Sequence, residues 1–287
     1  MTNGNLKIDF KTKTLKIPKI PPIKFRDNRI FKESIRNITI SRNKIGHYFA
    51  SILIEKDLEI IPIDTFNENN TLGIDMGLAR IVTTGQDIVV PRYFRSLEDK
   101  LAKQQKSFSN KKKGSKNKNK QRLKVAAIHN KITNCRKDFL HKLSSSIIKN
   151  YDGVCVEDLN LKGMLKNRSL SKSVSDLGWA KFSAMLEYKA LWAGKTLLKA
   201  GRFFPSSKLC NSCGLKNSNL KLSNKIWTCS CGACHDRDEN AAINLKNYFL
   251  NTLGTREIKA CGKSVRHSPD GPVLDLLKQE APYFSAG

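Results

Sequence analysis

Apolar residues alternate with polar ones along the first 70 positions, as in Leu6-Lys-Ile-Asp-Phe10, Ile38-Thr-Ile40 and His47-Tyr-Phe-Ala-Ser-Ile-Leu-Ile54. Period-two runs broken by Pro18, Pro21, Pro22 and the turn Asn43-Lys-Ile-Gly46 predict short antiparallel strands, a partial β-barrel or sheet over residues 1–70. It is either a plain β scaffold or, because its Lys and Arg alternate with apolar positions and share one face, also a grip on nucleic acid. From Thr71 the grammar changes. Thr71-Leu-Gly-Ile-Asp75 reads as a buried strand, and Ile81-Val-Thr-Thr84 and Ile88-Val-Val90 follow across the turn formers Gly85 and Asp87, so three consecutive antiparallel strands are expected. Ile128, Ile132, Cys135, Phe139, Leu143 and Ile147 then recur on one helical stripe. Tyr151 to Glu157 reads as a central strand, Leu177 to Lys199 as a helix burying Phe182, Leu186 and Ala190, Arg202 to Pro205 as another strand, and Asp238 to Leu250 as a last helix. Beyond Gly254 periodicity fades, which predicts a loosely ordered tail over 253–287.

Charge changes this picture. The 287 residues hold 52 Lys+Arg against 25 Asp+Glu, a formal charge of +27, which demands a polyanionic partner. Between Lys100 and Lys124 no acid occurs, and Asn110 to Asn119 has no apolar residue, so this centre is expected to be a flexible basic loop between two helical arms, together a basic helical hairpin over 95–150. Lys111, Lys112, Lys113, Lys116, Lys118, Lys120, Arg122 and Lys124, with Arg136 and Lys137 on the second arm, are the candidates for phosphate contact. An anionic membrane would satisfy the same charge. No run of about 18 apolar residues exists, however, and Met1-Thr-Asn-Gly-Asn-Leu-Lys7 lacks a signal-peptide core, so no membrane partner and a cytoplasmic, nucleoid-associated setting are expected.

Five of the eight cysteines crowd between Cys210 and Cys234. Cys210-Asn-Ser-Cys213 and Cys229-Ser-Cys231, each followed by glycine, predict a four-thiolate zinc ribbon over 208–235, with Cys234 and His235 as substitutes for the second pair. Four thiolates close the coordination shell, so this zinc is structural.

Three carboxylates stand apart from the general basic excess. Asp75 and Glu157 each end an apolar run, and Asp238 opens the last helix, with Asp236 as its closest rival. Singly they are a turn residue, a strand end and a helix cap. Converging, they are hard oxygen ligands for two Mg²⁺ ions, the arrangement of a two-metal nuclease.

The strings Gly73-Ile-Asp-Met-Gly77, Val156-Glu-Asp-Leu-Asn160, Phe203-Phe-Pro-Ser-Ser-Lys208, the cysteine pairs and Asp236-Arg-Asp-Glu-Asn-Ala-Ala242 resemble the TnpB, or OrfB, proteins of insertion sequences, relatives of the compact type V CRISPR nucleases. The resemblance runs from the Ile38 hairpin to Leu250. It implies an α/β, RNase H-like (RuvC) nuclease domain over 71–207 and 236–252, with the zinc ribbon inserted. It also implies a bacterial or archaeal RNA-guided DNA endonuclease, catalogued as a transposase, whose guide RNA is transcribed from the transposon end and whose target is DNA. By position, Asp75, Glu157 and Asp238 would hold Mg²⁺ and act in catalysis. Cys210, Cys213, Cys229 and Cys231 would hold zinc, and Arg237 would contact the scissile phosphate or a nearby acid. A further N-terminal segment is expected in such proteins before the part matching Leu15 to Pro22. The alternative, from another class, is a catalytically idle nucleic-acid-binding zinc-ribbon remnant of a transposase.

Overall fold

The computed structural model describes residues 6–56, 65–77, 80–221, 223–253, 266–268 and 271–273. Two compact units partition the chain: residues 1–59, 104–127 and 261–287 form one, and residues 60–103 and 128–260 the other.

In the first unit, β1 (Lys7–Asp9), β2 (Thr14–Ile17) and β3 (Ile20–Lys24) make a three-stranded antiparallel sheet, and β4 (Ile35–Arg42) pairs with β5 (Tyr48–Ile54) in a hairpin. The hairpin turn is fixed by Asn43, whose side-chain oxygen accepts from the Ile45 and His47 amides, and by Gly46 at φ +99°. Among the described residues the two sheets are not joined into a barrel.

The second unit is a mixed α/β layer structure. Its sheet is built from β6 (Thr71–Met76), β7 (Arg80–Thr83), β8 (Gln86–Val89), β9 (Gly153–Glu157) and β10 (Thr196–Ala200), in the order β10-β9-β6-β7-β8. The expected antiparallel run is β6, β7 and β8; β9 and β10 add in parallel on the other side of β6. Parallel addition requires long crossovers. The first carries α1 (Tyr93–Ser96), α2 (Glu98–Ser109) and α3 (Lys116–Asn150), of which residues 104–127 belong to the first unit, and the second carries α4 (Leu161–Lys166), α5 (Arg168–Leu177) and α6 (Trp179–Trp192).

Side chains alternate across the sheet. Leu72, Ile74, Met76, Val154 and Val156 enter the main core with Leu140, Ile147, Phe182 and Leu186. The opposite face, with Cys155 and Ala200, packs on Leu245 and Phe249 of α7 (Arg237–Leu253). The cysteine-bearing segment forms a small hairpin of β11 (Ile226–Thr228) and β12 (Cys234–Asp236). The short pair β13 (Arg266–Ser268) and β14 (Gly271–Val273) is described within the C-terminal tail, whose other residues after Leu253 lie outside the described set.

Three elements differ from the sequence reading. The helix expected to reach Lys199 stops at Trp192, because Gly194 adopts φ +66° and ends it; Leu197 therefore belongs to strand β10. The strand expected over 202–205 is a turn region following β10. The basic loop is shorter than expected, since α3 begins at Lys116 and only residues 110–115, with Gly114 at φ +82°, separate it from α2. Lysine and asparagine can propagate a helix already nucleated by the apolar stripe downstream, which the absence of core residues at 116–120 concealed.

Candidate active site

Two glycines let α7 lie close on the sheet. A Cβ at Gly73 would stand 1.9 Å from the Ala242 carbonyl oxygen and 2.6 Å from the Lys246 amide nitrogen, and one at Gly153 would stand 2.6 Å from the Phe249 ring. Asp75 shares the face of Gly73, and Glu157 that of Gly153. The parallel register pairs Thr71 with Gly153 and Ile74 with Val156, so Asp75 and Glu157 are the next step along, side by side at the carboxyl ends of β6 and β9. Asp238, in the first turn of α7, completes the group.

Electrostatics reports the convergence. The Asp75 carboxyl is pushed up to about 7, first by burial and then by the charges of Glu157 and Asp238; Arg237 and Arg80 pull weakly the other way. Asp236 behaves differently. Its side chain accepts from the Asp238 amide at 2.9 Å and the Glu239 amide at 3.1 Å, the position of a helix N-cap, and Arg80 binds it at 3.2 Å. Burial raises its pKa, but those amides and Arg80 outweigh burial and hold the carboxyl below the ordinary range. Arg237 donates to Asp238 Oδ1 at 2.9 Å, and Arg80 lies 3.5 Å from Asp238 Oδ2. Cys155, between Gly153 and Glu157, has its thiol pushed by burial to about 12, which removes it as a nucleophile at neutral pH.

The second constellation is the cysteine group. Cys210, Cys213, Cys229 and Cys231 bring their sulfurs within 4.8 Å of one another, with Cys210 3.7 Å from Cys231 and Cys213 3.6 Å from Cys229. A tetrahedral zinc with bonds of about 2.3 Å needs sulfurs about 3.8 Å apart, so this donor set fits such an ion. Two glycine-ended turns of unequal length build it: the Gly214 amide donates to the Cys210 carbonyl and the Gly232 amide to the Cys229 carbonyl, with φ of +75° and +88° at the two glycines. Cys234 is exposed and outside the four-sulfur group. His235 Nε2 instead flanks Cys210 Sγ at 3.1 Å while its ring packs on Trp227.

The basic candidates divide. Lys111, Lys112, Lys113, Lys116, Lys120, Arg122 and Lys124 are exposed, whereas Lys118 is half-buried, with its ammonium on the Lys111 carbonyl and over the Phe108 ring. Arg136 reaches the buried Asp176 at 3.2 Å, and the same carboxylate oxygen accepts from the Phe94 amide. Lys137 is half-buried on the same helix.

Four residues around the acids carried no role in the sequence reading. Ser206 donates to Glu157 Oε1, Arg80 ties β7 to Asp236 and Asp238, and Asn240 and Asn244 are buried on α7. The asparagines had a legible signal, two amides one helical turn apart in an otherwise apolar face. Arg80 and Ser206 had none, because their partners lie far along the chain.

Residues 51–168 match the OrfB_IS605 family model, described as "Probable transposase", and residues 179–245 match the TNB-domain model of Cas12f1-like proteins. A protein of Streptomyces pristinaespiralis, provisionally named an RNA-guided DNA endonuclease, is 41% identical over 272 residues, covering 93% of this chain and 65% of its own length. The similarly named InsQ of Escherichia coli K12 is 27% identical over 282 residues, covering 92% of this chain and 69% of that one. Among solved structures, a cryo-EM CRISPR-Cas12f ternary complex aligns at TM-score 0.46 and 18% identity, over 70% of this chain and 42% of that one. This chain thus spans about two thirds of the length of these two relatives. No helix among the described residues is long and apolar enough to cross a membrane. The chain is thus similar to OrfB_IS605 transposases over residues 51–168, to Cas12f1-like proteins over residues 179–245, and to proteins named as RNA-guided DNA endonucleases over most of its length.

Proposed function

We propose that this chain carries the hydrolytic centre of a transposon-encoded, RNA-guided DNA endonuclease, and that its five-stranded unit with α7 is an RNase H-like domain of the RuvC type. The observation that carries the reading is the Asp75 carboxyl, driven to about 7 by burial and by two neighbouring acids. Asp75 and Glu157 share one sheet face and Asp238 stands on the helix that covers it, so ionising all three together is unfavourable and a bound cation would relieve it; hard oxygen donors select Mg²⁺ or a similar ion. Asp75, Glu157 and Asp238 would hold the ions. When bound, these supply Lewis acidity to the attacking water and to the departing 3′ oxygen of a phosphodiester.

The protein's own residues do the rest. Asp75, with its carboxyl raised to about 7, shares its site with a proton near neutrality, and a bound cation would compete with that proton. Arg237 holds Asp238 at the start of α7, and Asp236 caps that helix so that Asp238 keeps its place. Cys210, Cys213, Cys229 and Cys231 would hold a zinc ion that fixes the hairpin leading into α7. The exposed lysines from 111 to 124 would neutralise phosphates of guide RNA and target DNA. The names of the relatives support the guided reading, and the charge of +27 supports a nucleic-acid partner.

The decisive experiment expresses the protein with its native flanking DNA, sequences any RNA that copurifies, and measures Mg²⁺-dependent cleavage beside Asp75→Ala. A bound flanking transcript and cleavage lost in the variant are expected. Cleavage that survives in Asp75→Ala, or no bound transcript, overturns the reading.

A further inference from the structure

The stretch from Ser206 to Asn211 joins the sheet to the first cysteine turn, and hydrogen bonds fasten it at both ends. Ser206 is 3% exposed and its hydroxyl donates to Glu157 Oε1. Its carbonyl accepts from Asn244 Nδ2 at 2.7 Å. Three residues on, the Leu209 carbonyl accepts from both Asn240 Nδ2 at 2.6 Å and Asn244 Nδ2 at 2.7 Å, while Asn240 Oδ1 accepts from the Asn211 amide at 3.0 Å. Cys210 lies between these anchor points.

Asn240 and Asn244 are 1% and 6% exposed. Burying two amides costs free energy that apolar residues would not incur, and their hydrogen bonds offset it only in one placement of the strap. Packing alone does not need such residues; a defined register does. The same helix carries Asp238 in its first turn, so one element sets both the acid near its N-terminus and, through the strap, the hydroxyl on Glu157.

We propose that Ser206 is a positioning residue for Glu157, held in register by Asn244, and that this strap sets the affinity of the acidic centre for divalent cations. The inference rests on reading that centre as a cation site. A carboxylate in a partly dry cleft has several rotamers, and a charge-assisted bond from a buried hydroxyl selects one. Outer partners of this kind change cation affinity by about 10–100-fold when removed.

The test uses the full chain and reads Mn²⁺ affinity by electron paramagnetic resonance, with zinc content measured in parallel. Ser206→Ala and Asn244→Ala are expected to weaken Mn²⁺ binding by about tenfold or more at unchanged zinc content, and Ser206→Thr, which keeps the hydroxyl, to bind within a few-fold of wild type. Ser206→Cys, nearly isosteric but a weaker donor, is the second arm if the alanine variant unfolds, and it too is expected to lose affinity. Asp75→Asn separates the two readings. If it abolishes tight Mn²⁺ binding while the Ser206 variants match wild type, the strap proposal fails alone; if it changes nothing, the acidic centre is not a cation site and both fall.

Discussion

Asp75 and Glu157 stand one register step beyond the Ile74–Val156 pair, on neighbouring parallel strands and on the face covered by α7. They are 82 positions apart in the chain, yet the ladder leaves their Cα atoms about 4.8 Å apart. Two acids so placed cannot both ionise cheaply, and Asp75 carries the consequence.

The pH dependence follows from that shift. An acid whose folded pKa is raised binds its proton more tightly when folded, so its contribution favours folding below about pH 4, declines as pH rises, and levels off above about 7. Wild type and Asp75→Asn, denatured with urea without added divalent cation, should diverge across that window. The variant gains relative stability with rising pH, by at most about 4 kcal/mol and less as solvent screens the site. A constant difference between the two proteins would refute the assignment.

Asp236 and Asp238 should separate in kind. Losing the cap in Asp236→Ala costs about 1–2 kcal/mol of stability, plus the Arg80 pair, and leaves cation-dependent cleavage measurable. Asp238→Asn should keep its melting temperature within a few degrees while cleavage falls by about 100-fold or more. Melting curves and single-turnover rates on the two proteins decide this, and the reverse pattern would exchange the roles.

Gly73→Ala has no room. The new methyl would meet the Ala242 carbonyl at 1.9 Å and the Lys246 amide at 2.6 Å, both backbone, so α7 must lift from β6. We expect destabilisation of about 3 kcal/mol or more, read by denaturant titration, with loss of cation binding in whatever remains folded. A variant as stable as wild type would mean that α7 does not rest on this strand.

Cys213→Ser breaks the four-sulfur group from an exposed position. Zinc content should fall from about one equivalent to near zero, and the thermal midpoint should drop with it, because structural zinc contributes its binding free energy to folding. Cys234→Ser should retain zinc and serves as the comparison.

The exposed lysines make a prediction in salt. Changing Lys111, Lys112, Lys113, Lys116 and Lys120 to glutamine should weaken nucleic-acid binding and flatten the plot of log K against log salt by about 0.7–0.9 for each phosphate no longer neutralised. An unchanged slope would leave those residues as a solvated face.

Much of this protein was legible from local signals. The strands that carry Asp75 and Glu157 near their carboxyl ends are short apolar runs, and the cysteine turns announce themselves by spacing and by the glycines that follow. Such features depend on neighbours within a few residues, which is the range over which propensity and turn chemistry act. Local signals failed where two structures compete on similar composition: Leu197 and Leu198 suit a helix or a strand, and Gly194 with the parallel ladder to β9 resolves them.

Tertiary structure alone decided which acids meet. Periodicity placed Asp236 and Asp238 at the same helix start, and only the cap hydrogen bonds and the crossing of α7 over Gly73 distinguish the carboxyl that holds amides from the one whose charge reaches Asp75. The partnerships of Ser206 with Glu157, Arg80 with Asp236, and Arg136 with Asp176 were equally hidden. Each joins residues about 40 to 156 positions apart, and such pairs are set by strand register and helix packing rather than by any pattern in the intervening chain.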